Sequence, residues 1–410
     1  MAREFKAPSA PAGETISSLF DAEVKGLASD GRGVLVHPSG KTFFAEGVWP
    51  GERGQFRVTG HKSSVGFADL VELYDSSPDR IDAPCPHYGL GAGKCGGCTW
   101  MFASYEAQLQ AKQQRVEQSF ARIDVNDIAE IWPAPQPLGY RNRAEFKTDG
   151  KAIGFVASFS HQLVPIEDCL VLTEPNRATL KSLLTMLPNE AWSKLPSKRS
   201  RKTGKKRRQD WTVLGIDEQV EADQVIPNLR RPFAQANQAQ NLRMQAWLRD
   251  GLQAVREKNA EFTLVDLFCG SGNFTQVISD SGFGKVLGVE AVEEALSALN
   301  ERELPGVKTF ACDIFSEGAF SRIFSRDRGA DCRVLVLDPP RDGLKDVEVL
   351  LKQAKKLQEV FYISCDLATL VRDVKQFQQY RFEVLEVQPL DQFAQTAHVE
   401  MMVHLRRRRK

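Results

Sequence analysis

The stretch FYISCDLATLVRD, residues 361–373, joins two different hydrophobic patterns. Residues 360–363 form a continuous apolar run that predicts a buried strand, and the apolar residues from Leu367 onward follow the spacing of an amphipathic helix. Cys365 is therefore predicted to lie where a strand ends and a helix begins. In an open α/β sheet this edge binds ligands, and a helix N-terminus can lower the pKa of a thiol. Cys365 is either a nucleophile at that edge or a buried structural cysteine.

The stretch belongs to a regular alternation of strand-like and helical patterns that begins at residue 262. Helical patterns separate the earlier apolar runs, for example over residues 291–303 and 346–357. This alternation predicts a doubly wound parallel sheet. The last two runs are seven residues apart, which is too close for a helical crossover, so we expect an antiparallel hairpin at the sheet edge. The runs are 262–268, 285–290, 307–312, 333–338, 359–364, 381–390 and 398–405.

A glycine-rich motif, DLFCGSGNF at residues 266–274, directly follows the first of these runs. Its glycines permit a tight turn and a close approach of the backbone to a ligand. Thr275 stands where a dinucleotide-binding loop has its third glycine, and Asp266 precedes the turn. Both features favour S-adenosylmethionine over a pyrophosphate. Glu290 and Asp313 end the next two runs, where carboxylates can accept hydrogen bonds from ribose hydroxyls and an adenine amine.

Two further motifs lie at the ends of later strands. Asp338 begins the motif DPPR, in which Arg341 stands where amino-group methyltransferases have an aromatic residue, and this argues against an exocyclic nitrogen as methyl acceptor. Glu400 lies just inside the last strand, where a charge costs free energy unless it is paired or functional. Burial should raise its pKa and suit it to proton transfer. The alternative is an ion pair with His398 or Arg372.

The N-terminal part of the chain has a different pattern, with five short strand-like runs separated by glycine turns. This spacing predicts a small barrel of the OB type. Such a barrel either binds single-stranded nucleic acid or only packs against its neighbour. The runs are 20–24, 33–36, 41–44, 54–58 and 66–73.

Three of the eight cysteines lie in the segment CPHYGLGAGKCGGC, residues 85–98. A reducing cytosol disfavours structural disulfides, so the C-x9-C-x2-C spacing of Cys85, Cys95 and Cys98 indicates metal binding or catalysis. Cys169 is the nearest candidate for a fourth ligand. Four thiolates suit zinc or an iron–sulfur cluster.

Length and composition are those of a globular protein of two or three domains, with 410 residues that are 42% hydrophobic and 26% charged. No apolar run approaches the roughly 20 residues of a membrane span, and the N-terminus lacks an apolar signal core, so we expect a cytoplasmic protein. The net charge of +1 does not point to nucleic acid. Basic runs at residues 197–208 and 406–410 are either solvated tails or phosphate-binding surfaces.

The motifs of the C-terminal half resemble those of the RNA uracil-C5 methyltransferases. The N-terminal half is similar to the branch of that family that carries a TRAM barrel and a four-cysteine [4Fe-4S] cluster, whose usual substrate is 23S ribosomal RNA. The matching stretches in the C-terminal half are PFAQAN (232–237), DLFCGSGNF (266–274), DPPR (338–341), SCDLATLVRD (364–373) and QTAHVE (395–400).

The resemblance implies a class I S-adenosylmethionine-dependent methyltransferase domain, which is a doubly wound seven-stranded sheet with an antiparallel terminal hairpin. An OB-like β-barrel and a small central α+β domain would precede it. We expect a flexible tail over residues 1–15, the TRAM barrel over 16–75, the central domain with the cysteine loop over 76–231, and the methyltransferase domain over 232–410. We also expect a monomer.

The resemblance also implies roles for individual residues. Cys365 would add to C6 of a uracil, and Glu400 would remove the C5 proton after methyl transfer. The implied contacts to S-adenosylmethionine are Gln235, Phe268, Gly270, Asn273, Glu290, Asp313 and Asp338. The implied ligands of the [4Fe-4S] cluster are Cys85, Cys95, Cys98 and Cys169.

Two features depart from the pattern of the family. The family usually has Ser-Cys-Asn-Pro where this chain has Ser364-Cys365-Asp366-Leu367, and the cysteine loop is longer than usual. A carboxylate beside the nucleophile would disfavour its thiolate. The main hypothesis is methylation of a 23S rRNA uridine. The same chemistry on a tRNA uridine and a non-catalytic RNA-binding protein are the alternatives.

Overall fold

The computed structural model describes residues 18–91, 93–158, 160–193, 211–229, 231–256 and 262–408. The predicted tail over residues 1–15, the basic run over 197–208 and the last two residues of the C-terminal basic run lie outside the described residues. Three sheets organise the described residues, namely a closed five-stranded barrel, a four-stranded sheet and a seven-stranded sheet. Across those ranges, no helix combines the length and the apolar character that a membrane crossing requires.

The barrel forms as the sequence predicts. Its strands run in the order β1-β2-β3-β5-β4, and a parallel pairing of β3 with β5 completes the closure. Alternate residues point inward, which buries Leu35, Phe43 and Phe56 completely. The strands are β1 (Leu19–Leu27), β2 (Gly33–Val36), β3 (Thr42–Ala45), β4 (Arg53–Lys62) and β5 (Val65–Asp75).

The central region contains a long helix, α1 (Tyr105–Ala121), followed by an antiparallel four-stranded sheet with one helix packed on it. The strand order is β8-β7-β6-β9, and Phe146, Ile153 and Leu180 lie in its core. The elements are β6 (Arg143–Thr148), β7 (Ile153–Val156), β8 (Leu163–Pro165), α2 (Glu174–Thr185) and β9 (Thr212–Asp217).

The seven-stranded sheet has the predicted doubly wound form, with strand order β12-β11-β10-β13-β14-β16-β15. Strands β10 to β14 are parallel, and β16 runs antiparallel to both β14 and β15, so the predicted terminal hairpin is confirmed. The strands are β10 (Thr263–Leu267), β11 (Val286–Glu290), β12 (Val307–Ala311), β13 (Cys332–Leu337), β14 (Glu359–Ser364), β15 (Phe382–Leu390) and β16 (Glu400–Arg407).

Helices cover both faces of this sheet, which explains why its central strands are apolar on both sides. Phe361 and Ile363 of β14 pack with the helices on one face, and Val360 and Tyr362 pack with those on the other. The helices are α3 (Gln238–Arg256), α4 (Asn273–Asp280), α5 (Glu293–Asn300), α6 (Ala319–Ile323), α7 (Val347–Gln353) and α8 (Leu367–Gln379).

Helix α1 packs against the large sheet although it precedes the central sheet in the chain. Val116 and Phe120 are fully buried in the same core cluster as Leu370 and Phe377 of α8. The region between α1 and β6 also pairs with the large sheet, through a bridge between Trp132 and Leu390. The hydrophobic core of the C-terminal part is therefore completed by residues near position 120, and the domain division at residues 231 and 232 stays a prediction.

Candidate active site at the carboxyl edge of the large sheet

Cys365 and Glu400 meet at the carboxyl end of β14. Ser364, the last residue of β14, pairs with Met401 of the antiparallel strand β16. Carrying this register on by one residue sets Cys365 opposite Glu400, the first residue of β16. The two residues, which are 35 positions apart in the sequence, are thus brought together by strand pairing.

Helix α8 is fixed to β14 by a buried hydrogen-bond network. The hydroxyl of Tyr362 donates to Oδ2 of Asp373 at 2.7 Å, and the backbone N–H of Leu344 donates to the same oxygen at 2.7 Å. Asp373 is fully buried and also pairs with Arg372 at 2.7 Å. The turn that carries Cys365 is therefore held by the strand before it and the helix after it.

Asp366 is the N-cap of α8. Its Oδ1 accepts hydrogen bonds from the backbone N–H of Thr369 at 2.9 Å and from the hydroxyl of Thr369 at 3.0 Å. Asp and Asn are both strong N-cap residues. The aspartate that departs from the family's Ser-Cys-Asn-Pro pattern thus has a local structural role that an asparagine would also fill.

The thiol of Cys365 has a raised pKa, of about 11. Burial is the main cause, the negative charges of Glu400 and Asp338 add to it, and Arg341 opposes them. Asp366 raises the pKa in the direction expected from the sequence, but it is the smallest of these causes. The expectation that a position near a helix N-terminus lowers the thiol pKa is wrong here, because burial and neighbouring carboxylates outweigh the helix.

Glu400 is only 4% exposed, and its pKa is raised well above the ordinary value. The causes are burial and the charge of Asp338, and Arg341 again acts in the opposite direction. The predicted direction is confirmed. The alternative of an ion pair is not seen, since no salt bridge joins Glu400 to His398 or Arg372 in the described residues. Glu400 is therefore a carboxyl group that holds a proton more strongly than an exposed glutamate does, which makes it a stronger base once ionised.

The loop after β10 has the backbone shape that its glycines predict. Gly270 has a φ of +53°, and Gly272, at the N-cap of α4, has a φ of +92°. A Cβ on Gly272 would lie 2.5 Å from Cδ1 of Leu299, so a larger residue does not fit. Phe268 also has a positive φ, of +65°, which is uncommon for a bulky residue. Strained backbone of this kind clusters at ligand sites.

Several carboxylates line the same edge of the sheet. Glu290, at the end of β11, accepts hydrogen bonds from the backbone N–H groups of Gly270 at 3.1 Å and Ala291 at 2.7 Å. Burial raises the pKa of Asp266 and that of Asp338 to about 7. The charges of Asp338 and Glu290 contribute to the raised pKa of Asp266. The edge therefore concentrates carboxyl groups, which suits a cationic ligand.

Asp313 differs from the sequence-based expectation in its position. Strand β12 ends at Ala311, so Asp313 lies two residues beyond the strand rather than at its end. Its side chain is exposed and accepts a hydrogen bond from the backbone N–H of Phe315 at 2.9 Å. The ring of Phe315 lies 5.7 Å from that of Phe268, so this loop still borders the glycine-rich loop.

Gln235 and Asn273 are held by polar side chains that the sequence did not reveal. Oε1 of Gln235 accepts a hydrogen bond from Nε2 of Gln392 at 3.0 Å. The amide of Asn273 exchanges two hydrogen bonds with that of Asn241, at 2.9 and 3.0 Å. Gln245 also donates to Oδ1 of Asn273 at 3.0 Å. These contacts fix the start of α4 to α3.

A buried ion pair joins α1 to the loop before Glu400. Lys112 and Asp391 are both fully buried, and Nζ of Lys112 lies 2.5 Å from Oδ1 of Asp391. The hydroxyl of Tyr105 donates to Oδ2 of Asp391 at 2.7 Å, and Gln108 donates to Oε1 of Gln395 at 3.0 Å. Asp391 lies shortly before the QTAHVE motif, but a lysine within a charge-rich helix gives no signal that it is buried.

The four predicted cysteine ligands come together in one pocket. Cys85, Cys95, Cys98 and Cys169 all line it, together with apolar neighbours such as Met101. As the side chains stand, no three histidines, cysteines or carboxylates within the described ranges form a group that could hold a metal ion. The set of donors is therefore right for a thiolate-bound metal or cluster, although the side chains are not arranged as a coordination shell.

The match to known proteins covers the motifs described above. The family model for tRNA (Uracil-5-)-methyltransferase matches residues 201–408. An uncharacterized RNA methyltransferase of Nitrosomonas europaea is 37% identical over 391 residues, which cover 93% of this chain and 95% of that protein. The chain belongs to the RNA uracil-C5 methyltransferase family. It is an S-adenosylmethionine-dependent methyltransferase of this class, as its sequence predicts.

Two other relatives of the methyltransferase are informative. The 23S rRNA (uracil(1939)-C(5))-methyltransferase RlmD of Halomonas elongata is 31% identical over 441 residues, covering 93% of this chain and 88% of that protein. The crystal structure of the Pyrococcus abyssi tRNA (uracil-54, C5)-methyltransferase, with S-adenosyl-L-homocysteine, matches with a TM-score of 0.66 and 20% identity. That match covers 94% of this chain and the whole of that protein, and it confirms the fold.

Proposed function

We propose that this methyltransferase acts on C5 of a uridine in 23S rRNA, with Cys365 as the nucleophile and Glu400 as the base. The observation that carries the proposal is that the register of β14 with β16 sets Cys365 opposite Glu400, beside an edge of the sheet lined by carboxylates. A thiol and a carboxylate that face each other in this way suit a reaction in which one group attacks a pyrimidine ring and the other removes a proton from the same ring.

The chemistry explains why both groups are needed. C5 of uracil is a poor nucleophile until the thiolate of Cys365 adds to C6, which pushes the C5–C6 π electrons toward C5 and O4. S-adenosylmethionine, when bound, supplies the methyl group that C5 takes up. C5 then carries a methyl group and a hydrogen. Glu400 removes that proton, the electron pair re-forms the C5–C6 double bond, and the bond between C6 and Sγ of Cys365 breaks.

The positive charge of Arg341 favours this reaction. It lowers the pKa of Cys365 and that of Glu400, against the effect of burial. Both groups must lose a proton during the reaction, so a nearby guanidinium favours the reactive forms. The target base has to leave its stack to reach this edge, because a paired uracil cannot present C6 to a buried thiol.

The residues at the edge fit S-adenosylmethionine on physical grounds. Its sulfonium and ammonium groups are positive, and the edge holds carboxyl groups, among them Asp338 and Glu290, whose charges raise the pKa of Asp266. The left-handed conformation at Gly270 and Gly272 brings the backbone close to a ligand. The residues we propose to hold it are Gln235, Phe268, Gly270, Asn273, Glu290, Asp313 and Asp338.

Cys85, Cys95, Cys98 and Cys169 are proposed to bind a [4Fe-4S] cluster. Their convergence on one pocket supports this, since four thiolates are the usual ligands of such a cluster. A cluster there would tie the loop of residues 85–98 to the central sheet. Iron and sulfide analysis of anaerobically purified protein tests the idea, with Cys98→Ser as the variant expected to lose both elements. Stoichiometric zinc, or no metal at all, would contradict it.

The choice of 23S rRNA rests on the RlmD relative of Halomonas elongata, whose name specifies that substrate. A tRNA uridine is the second candidate, because the description of the matching family specifies tRNA. Nucleoside mass spectrometry of purified 23S rRNA and of tRNA from a deletion strain separates the two. Loss of 5-methyluridine from 23S rRNA supports the first, and loss from tRNA alone supports the second.

A further inference from the structure

A second, basic pocket lies at the end of the large sheet opposite Cys365. Its six lining residues are Arg333, Lys355, Lys356, Leu357, Gln358 and Arg407, none of which is acidic. They come from the start of β13, from the turn that leads into β14 and from the end of β16, which share one end of the sheet. Strand β14 has six residues, so the pocket lies about 20 Å from Cys365 along the strand.

Backbone pairing holds the basic pocket together. The N–H of Gln358 donates to the carbonyl of Arg333 at 2.8 Å, and the N–H of Arg407 donates to the carbonyl of Gln358 at 2.7 Å. The guanidinium of Arg407 donates to the carbonyl of Lys355 at 3.0 Å and lies 5.0 Å from the ring centre of Phe382. Arg333 and Arg407 are therefore carried by strands, and these hydrogen bonds tie the turn with Lys355 and Lys356 to the ends of those strands.

The positive charge of the basic pocket is only partly balanced. Lys356 pairs with Asp331 at 2.7 Å. Burial and the nearby charge of Arg381 lower the pKa of Arg407. By contrast, the neighbouring Arg406 pairs with Glu359 at 2.7 Å and belongs to a balanced group. An anion in the basic pocket would relieve this repulsion.

The catalytic edge of the same sheet is instead rich in carboxyl groups. Asp266, Glu290, Asp338 and Glu400 lie there, with Arg341 opposing their effect on the catalytic pair, so this edge offers little attraction to the phosphates of an RNA substrate. Phosphate contacts supply a large share of the affinity of proteins for nucleic acids. A substrate RNA must therefore gain most of its electrostatic binding energy away from this edge.

We infer that the basic pocket binds the phosphate backbone of the substrate RNA, at a segment remote from the target uridine. The inference rests on the proposed function to the extent that it takes RNA as the substrate. The pocket would contact phosphates without reading bases, so it contributes affinity and register rather than sequence preference. A short oligonucleotide around the target uridine would not reach it, whereas a folded RNA domain would.

The experiment compares two RNAs and two variants in which glutamine replaces basic residues. The RNAs are a folded domain of 23S rRNA and a short oligonucleotide that carries the candidate uridine of the same domain. The pocket variant is Arg333→Gln with Lys355→Gln. The control is Lys308→Gln, because Lys308 is exposed on the outer strand β12 and does not line the pocket. Thermal unfolding establishes that all three proteins are equally folded.

For the folded RNA, neutralising two cations should reduce the slope of log affinity against log salt by about two, because each phosphate contact contributes roughly one. KM for the folded RNA should rise by roughly threefold for each lost cation, with kcat unchanged. The short oligonucleotide should show the wild-type KM and kcat with both variants. The control should behave like the wild type on both RNAs.

An unchanged salt slope and KM on the folded RNA would overturn the inference. An equal loss on the short and the folded RNA would also overturn it, since the pocket cannot contact the short one. Failure of the proposed function gives a different result. In that case the wild type transfers no methyl group to either RNA, while the salt dependence of binding to folded RNA can still be compared between the proteins.

Discussion

Cys365 lies opposite Glu400 because β14 and β16 pair antiparallel. Ser364, which precedes Cys365, is matched to Met401, which follows Glu400. The register of β14 with β16 therefore also positions the two reactive groups, since a shift of one residue would turn the side chain of Glu400 to the other face of the sheet. Each of the two groups has a raised pKa, and the charge of Glu400 contributes to that of the thiol. The two groups are electrostatically coupled, so only one of them readily carries a negative charge at a time.

Glu400→Gln should separate methyl transfer from release of the enzyme. Without a base to remove the C5 proton, the bond between Cys365 and C6 cannot break by elimination, so a covalent protein–RNA adduct should accumulate. Denaturing gel electrophoresis with labelled RNA detects it. Glu400→Gln combined with Cys365→Ala is the matched control and should form no adduct. If Glu400→Gln turns over at the wild-type rate, Glu400 is not the base.

Arg341→Gln should shift the pH dependence of the reaction to higher pH. The thiol reacts when deprotonated, its pKa is about 11, and Arg341 acts to lower it. Removing the guanidinium raises the pKa of Cys365, so the rate at neutral pH should fall by about tenfold for each unit of that change. The profile of kcat/KM against pH measures this. Arg341→Lys retains the charge and should keep its profile near that of the wild type.

Asp366→Asn and Asp366→Ala should have different effects. Asparagine can cap α8 as aspartate does, while the lost charge lowers the pKa of Cys365, so activity at neutral pH should stay the same or increase. Alanine removes the cap and should cost about 1 kcal/mol of unfolding free energy. Chemical denaturation and initial rates test both. A strong loss of activity in Asp366→Asn, with wild-type stability, would assign the carboxylate a direct role in the reaction.

The alternation of strands and helices in the large sheet could be predicted from the sequence, because each element has its own local hydrophobic pattern. Strands β10, β11, β13 and β14 are short, largely buried apolar runs, and all seven predicted runs appear as strands within two residues of the expected boundaries. The convergence of Cys365 and Glu400 followed from their motifs, since both stand at ends of adjacent strands. The raised thiol pKa did not follow, because it depends on burial and on charges from three separate segments.

Contacts between distant segments are the part that sequence patterns missed. Helix α1 has a narrow apolar stripe, and Val116 and Phe120 are buried as that stripe suggests. Lys112 is buried too, and nothing local marks it, because its partner Asp391 is 279 residues away. A residue type that is usually exposed can be placed in a core only when its partner is known.

The buried pair of Lys112 and Asp391 should position the loop that leads into Glu400. Desolvation lowers the pKa of Lys112, and the charge of Asp391 opposes this, so Lys112 depends on Asp391 for its charge. Lys112→Met leaves Asp391 buried without its ion partner and should cost about 3–5 kcal/mol of unfolding free energy. Lys112→Met combined with Asp391→Leu removes both charges and should recover much of that stability, as measured by denaturant unfolding.

The double variant should also show whether the pair affects catalysis. Gln108 still contacts the loop in this variant, so the protein should fold, but its kcat should fall while KM for RNA stays unchanged. Wild-type kcat in a stable double variant would show that the pair contributes to stability alone.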